Sequence, residues 1–93
     1  MDISIALTLV KSRLGITSTV RDFYLSKIIE GIIDELENVH GLSIDLDSPH
    51  HLMFVVDLAT WRYQNKGLME GMPRHLQYRL HNLIIGGMKN EQT

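Results

Sequence analysis

Residues 48–66 read SPHHLMFVVDLATWRYQNK, and the spacing of their apolar side chains decides the fold. At 100° per residue, Leu52, Val55, Val56, Ala59 and Tyr63 share one side of a helix, while Phe54, Leu58 and Trp61 lie on another. Only a narrow strip is left for water: Asp57, Thr60 and Gln64, with Met53 beside them. A helix apolar on two sides is central and buried. Ser48 suits an N-cap, Pro49 the first turn and Gly67 a C-terminal stop. At the usual rise per residue the predicted helix is about 28 Å long, the width of a small domain, so the remaining elements can pack around it.

Upstream, Leu25, Ile28, Ile29, Ile32, Leu36 and Val39 form one stripe opposite Ser26, Glu30, Asp34 and Glu37, which predicts a second helix with one buried and one acidic side. Thr17, Ser18 or Thr19 can cap its start, Asp22 favours its positive end, and it runs to about His40, where Gly41 stops it. Phe23 and Tyr24 add apolar bulk near its beginning, and Gly31 permits a close approach by a neighbouring helix. Ile3, Ala6, Leu7, Val10 and Leu14 predict a first helix over residues 2–14, capped by Asp2 and ended by Lys11, Arg13 and Gly15. Leu42, Ile44 and Leu46, in the loop before the central helix, are placed to tuck under the bundle.

Downstream, the GLMEGM stretch of residues 67–72 reads as a mobile loop. Pro73 opens a fourth helix whose buried side is Leu76, Leu80, Leu83 and Ile84. Arg74, Tyr78, His81 and Ile85 form one flank and His75, Arg79 and Asn82 the other, so its exposed surface is basic throughout. Gly86 and Gly87 end it, and residues 88–93 read as a disordered tail. The expectation is an all-α fold: one domain over residues 1–87, a compact bundle of about four helices with the helix at about 48–66 buried in the middle.

With 93 residues, 44% of them apolar, the chain can build one modest core. A domain of this size buries only about 60 to 65% of its unfolded surface, so partners are a natural source of extra stability. The absence of cysteine removes disulfides and thiolate zinc sites and fits a reducing compartment. No apolar run reaches a bilayer span and the N-terminus has no signal-peptide pattern, which together read as a soluble cytosolic protein with no membrane partner. The net charge of −2 hides a division along the chain. Glu30, Asp34, Glu35, Glu37, Asp45, Asp47 and Asp57 follow one another without an intervening Lys or Arg; then, from Leu58 to Lys89, Arg62, Lys66, Arg74, Arg79 and Lys89 stand against Glu70 alone. Two solvated faces or a complementary subunit contact would both produce this pattern.

Signals for chemistry are sparse. His40, His50, His51, His75 and His81 show no zinc-like spacing and read as surface or edge histidines. There is no nucleophile elbow, no carboxylate pair set in a cleft and no phosphate-cradling glycine loop. Asp57, the one carboxylate on the apolar helix, reads as the partner of an arginine or a cap rather than as a base. The chain is therefore not expected to be an enzyme. Arg74, Arg79, Lys89 and Tyr78 do make a basic helix with an aromatic, which keeps a small DNA-binding or regulatory bundle as the alternative; the helices are long for a helix-turn-helix.

Three segments taken together carry a resemblance: VKSRLGITSTVRDFYLSKIIEGI from Val10, HLMFVVDLATWRYQN in the middle, and GMPRHLQYRLHNLI near the end. In order and spacing, over nearly the whole chain, they resemble the small helical head-tail connector proteins of long-tailed bacteriophages, also called head completion or adaptor proteins. The resemblance implies an all-helical subunit that assembles as a ring beneath the portal protein after DNA packaging. It would be made in the bacterial host cytoplasm and reside at the virion head-tail junction. Such a ring extends the DNA channel, lies close to packaged DNA without sequence-specific contact, and docks further neck or tail proteins. It implies no catalysis and no cofactor. Within that picture Arg74, Tyr78 and Arg79 are expected to meet a neighbouring copy or the portal, and Glu30, Asp34 and Glu37 to form the opposing face or to line the channel. Methionines and glycines of the 67–72 loop would adapt to a partner surface. Arg62 is open between an internal salt bridge and an interface, and Trp61 and Tyr63 read as core.

Overall fold

The computed structural model describes residues 2–65 and 71–92, from residue 87 onward as backbone only. Four helices follow in chain order: α1 Ser4–Leu14, α2 Asp22–Asn38, α3 Pro49–Gln64 and α4 Arg74–Gln92. The described residues contain no strand, so the fold is the small all-α bundle the periodicities predict. The central position of α3 is observed: α1, α2 and α4 all pack against it, α1 also packs against α2, and α4 packs on α3 alone among the described residues.

The core follows from that arrangement. Phe54, Val55, Val56, Leu58 and Ala59 of α3 are buried on both of its apolar sides. They meet Ala6 and Val10 from α1, Leu25, Ile29, Ile32, Ile33 and Leu36 from α2, and Leu76 and Leu80 from α4. Ile44 is buried beneath the bundle, with Leu42 and Leu46 half-buried beside it, as their place in the loop predicts. Trp61 and Tyr63 are half-buried against the same core. Thr60 departs from the expected polar strip: it is only 5% exposed. Its hydroxyl donates to the Val56 carbonyl one turn back at 2.8 Å, and that internal bond lets a polar residue sit inside without an unsatisfied group.

Helix ends show where local signals hold and where they fail. Gly15 adopts φ 71°, its N–H donating to Ser12 (3.3 Å) while Ile16 N–H donates to Lys11 (2.9 Å); this Schellman closure needs the left-handed conformation glycine favours. Asp2 accepts from the N–H of Ser4 at 2.9 Å, close to its expected capping role. Ser48 stands at the N-cap of α3, its carbonyl accepting the first helical bond from Leu52 N–H at 2.9 Å, but its side chain makes no cap bond. Thr17, Ser18 and Thr19 do not cap α2. A backbone turn from the Asp22 N–H to the Thr19 carbonyl (3.1 Å) moves the entry to Arg21. The helix ends at Asn38, before Gly41 takes φ 72°.

Two glycine readings are corrected. Gly31 is exposed and a Cβ there would meet nothing within 4 Å, so among the described residues no helix approaches it. Gly86 and Gly87 do not end α4: positive φ among the described glycines is confined to Gly15 and Gly41, and the helix runs on to Gln92. Residues 88–92, expected as a disordered tail, thus have helical backbone; glycine weakens a helix interior by about 0.5–1 kcal/mol but stops it only by turning left-handed. The expected stop at Gly67 and most of the 67–72 loop lie outside the described residues, and α3 is described as ending at Gln64 with Asn65 after it.

Candidate functional site

The most densely connected polar group is Asp57, halfway along α3. Arg79, in the second turn of α4, donates to one of its oxygens at 2.6 Å, and Arg13, in the last turn of α1, donates to the other. A single carboxylate therefore ties both flanking helices to the centre. Arg79 also lies over the Phe54 ring, 5.5 Å from its centroid, a cation–π arrangement that fixes the guanidinium plane. Burial pushes the Asp57 carboxyl upward, but the hydrogen bonds and positive charges of Arg79 and Arg13 outweigh that and hold it below the usual carboxylate value. An ionised carboxylate with both oxygens engaged is a structural counter-ion, in line with the arginine pairing the sequence suggests.

The remaining sequence-predicted residues separate into two surfaces. Arg74 and Tyr78, one turn apart on α4, are exposed, Tyr78 by 67%. Arg79 leaves this surface because Asp57 holds it, so α4 is not basic on every flank. On α2, Glu30, Asp34 and Glu37 are all exposed. Glu30 pairs with Lys27 at 3.1 Å, Asp34 accepts from the Asn38 amide at 2.6 Å, and Glu37 accepts from the Ile44 N–H at 3.3 Å. The basic and acidic sets are not brought together within one chain, since among the described residues α2 and α4 do not pack on each other. Arg62 takes the internal option, pairing with Glu35 across the α2–α3 contact at 2.8 Å.

A third surface is not among those the sequence patterns single out. Val20 and Phe23, at the entry of α2, are 87% and 75% exposed. Lys27 stands 5.4 Å above the Phe23 ring, and Arg21 donates to the Tyr63 hydroxyl. The signal was in the spacing: Phe23, Lys27, Glu30 and Asp34 recur at helical intervals on the side away from Leu25, Ile29, Ile32 and Leu36.

Two open grooves flank Arg79, one of about 370 Å³ bordered by His50, Phe54, Asn82 and Leu83, the other of about 510 Å³ bordered by Met53, Asp57, Trp61 and His75. Thr60 also borders the second groove, its hydroxyl donated to the Val56 carbonyl at 2.8 Å. His51 serves the loop before α3, its Nδ1 accepting from the Asp45 N–H at 3.0 Å. Among the described residues no group of three or more His, Cys, Asp or Glu is placed to hold a metal ion, and no helix is long and apolar enough to cross a membrane. The class the fold defines is the small all-α bundle. Set against protein-family models, curated proteins and solved structures, the chain matches none of them.

Proposed function

We propose that this chain is a structural head-tail connector subunit of a long-tailed bacteriophage, assembling as a ring under the portal protein, extending the DNA channel and docking neck or tail proteins. The observation that carries the reading is how α4 divides the GMPRHLQYRL segment, the most specific part of the resemblance. Leu76 and Leu80 are buried and anchor the helix, while Arg74 and Tyr78 stand exposed on its outer side, a surface suited to a partner and unused by the fold. An aromatic beside an arginine is the pairing over-represented at protein contacts. The nucleic-acid alternative has less support, because Arg79, one of its few cations, is engaged by Asp57 and phosphate binding scales with the cations available.

The test is co-sedimentation with purified portal rings from the same genome. Saturable binding near one copy per portal subunit, lost in Arg74→Glu with helix content unchanged, is the expected result. Absence of binding at high protein and low salt, with salt-sensitive retention of labelled duplex DNA instead, would replace the connector reading by the DNA-binding one.

A further inference from the structure

The charges that the fold leaves uncompensated are unevenly placed. Lys11, Arg13, Lys27, Arg62 and Arg79 each pair with a carboxylate of the chain. Asp34, Glu37, Asp45 and Asp47 are in no ion pair with a described residue. All four belong to one end of α2, because the Ile44 N–H bound to Glu37 draws the loop carrying Asp45 and Asp47 back against it. The last turn of α2 holds no base, so these carboxylates sit at the negative end of the helix dipole, where acids are unfavourable. Beside them Val39 is 72% exposed. The opposite end of the same helix is the complement: Val20 and Phe23 are exposed, and next to them stand Arg21, in no ion pair with a described residue, and Lys27, whose pair with Glu30 lies on the exposed side of the helix.

We infer that the two ends of α2 are the two halves of a head-to-tail contact between copies of this chain. Val20 and Phe23 of one copy pack at Val39 of the next, and Arg21 and Lys27 meet Asp34 and Glu37. This inference deepens the ring reading by naming the surfaces that meet. A second copy is the occupant the chemistry selects, because both ends expose apolar residues and Arg21 and Lys27 at one end carry the sign opposite to Asp34 and Glu37 at the other. A contact between two different surfaces is heterologous, so it propagates beyond a pair and closes into a ring when the rotation allows. Opposite charges on the two surfaces set the order in which they meet.

The full chain alone, in sedimentation velocity at rising concentration and low salt, tests this. Mass should grow from the 10.7 kDa monomer past two copies, and the association should weaken as salt screens the charges. Arg21→Glu with Lys27→Glu should abolish it, as should Asp34→Lys with Glu37→Lys, each with unchanged helix content. Mixing these two non-associating variants should restore it, since each then offers the end the other needs. A parent chain whose mass stays monomeric or stops at two copies, or a mixture of the two variants that forms no pair, overturns the inference. Loss of association in Arg74→Glu but not in the α2 variants would assign the contact to α4 instead. Because no portal is present, the result is independent of whether the portal binds.

Discussion

Asp57 shows how much one residue can organise when its partners come from different helices. Its carboxylate joins Arg13 of α1 and Arg79 of α4, and the side chain is 22% exposed, so solvent screens the attraction only in part. Asp57→Asn keeps the shape and removes the charge. It should lower stability at neutral pH by about 1–2 kcal/mol, the range for charge-assisted hydrogen bonds with partly exposed partners. The pH dependence fixes the cause. The folded carboxyl is held below its ordinary value, so its contribution is complete above the unfolded pKa of about 4 and disappears as pH falls through the lower folded value. Thermal unfolding of the two proteins from pH 7 downward should therefore give a difference that is flat above about pH 5 and shrinks below about pH 4. A difference independent of pH would mean that packing, not charge, is what the substitution disturbs.

Among the elements, α4 is the least embedded, since α3 is its only helical neighbour among the described residues. Leu76, 1% exposed, is its deepest anchor. Leu76→Ala should cost about 2–5 kcal/mol through the cavity left behind. The loss should also be local at first: hydrogen exchange of α4 amides should accelerate while those of α1, α2 and α3 remain protected, because the latter three share contacts that α4 does not. Uniform acceleration across all four helices would show that the bundle unfolds as one unit. The elements themselves were legible in the sequence, because a stripe such as Leu25, Ile29, Ile32 and Leu36 has only one helical reading. Boundaries were less legible, for a physical reason. Thr17, Ser18 and Thr19 are all able to cap, but the turn from Thr19 to Asp22 is chosen by the direction from which α1 delivers the chain. Gly86 and Gly87 permit a stop without requiring one. The candidate site was half legible: Arg74 and Tyr78 are exposed as their spacing indicates, whereas the capture of Arg79 depends on the angle at which α4 crosses α3, which no periodicity encodes.

At the scale of the whole molecule, folding and assembly make different demands on the outer side of α2, and Gly31 separates them. Nothing among the described residues approaches it: a Cβ would meet no atom within 4 Å, and its φ is not positive. Judged by the fold alone it is a plain helix-interior glycine, and Gly31→Ala should raise stability by about 0.5–1 kcal/mol. For assembly the outcome depends on which part of α2 is covered. Two copies laid antiparallel along the full helix would place Glu30 against Glu30 near the dyad and bring both backbones close at Gly31, where an added methyl would disrupt the contact. A head-to-tail contact reaches Lys27 from one side and Asp34 from the other but lays no helix across Gly31, so Gly31→Ala should gain stability in thermal unfolding and associate as the parent chain does in sedimentation. A variant that is more stable yet monomeric would show that the middle of α2 is covered by a neighbour, and that the glycine is kept for the approach of another chain rather than for any helix of its own.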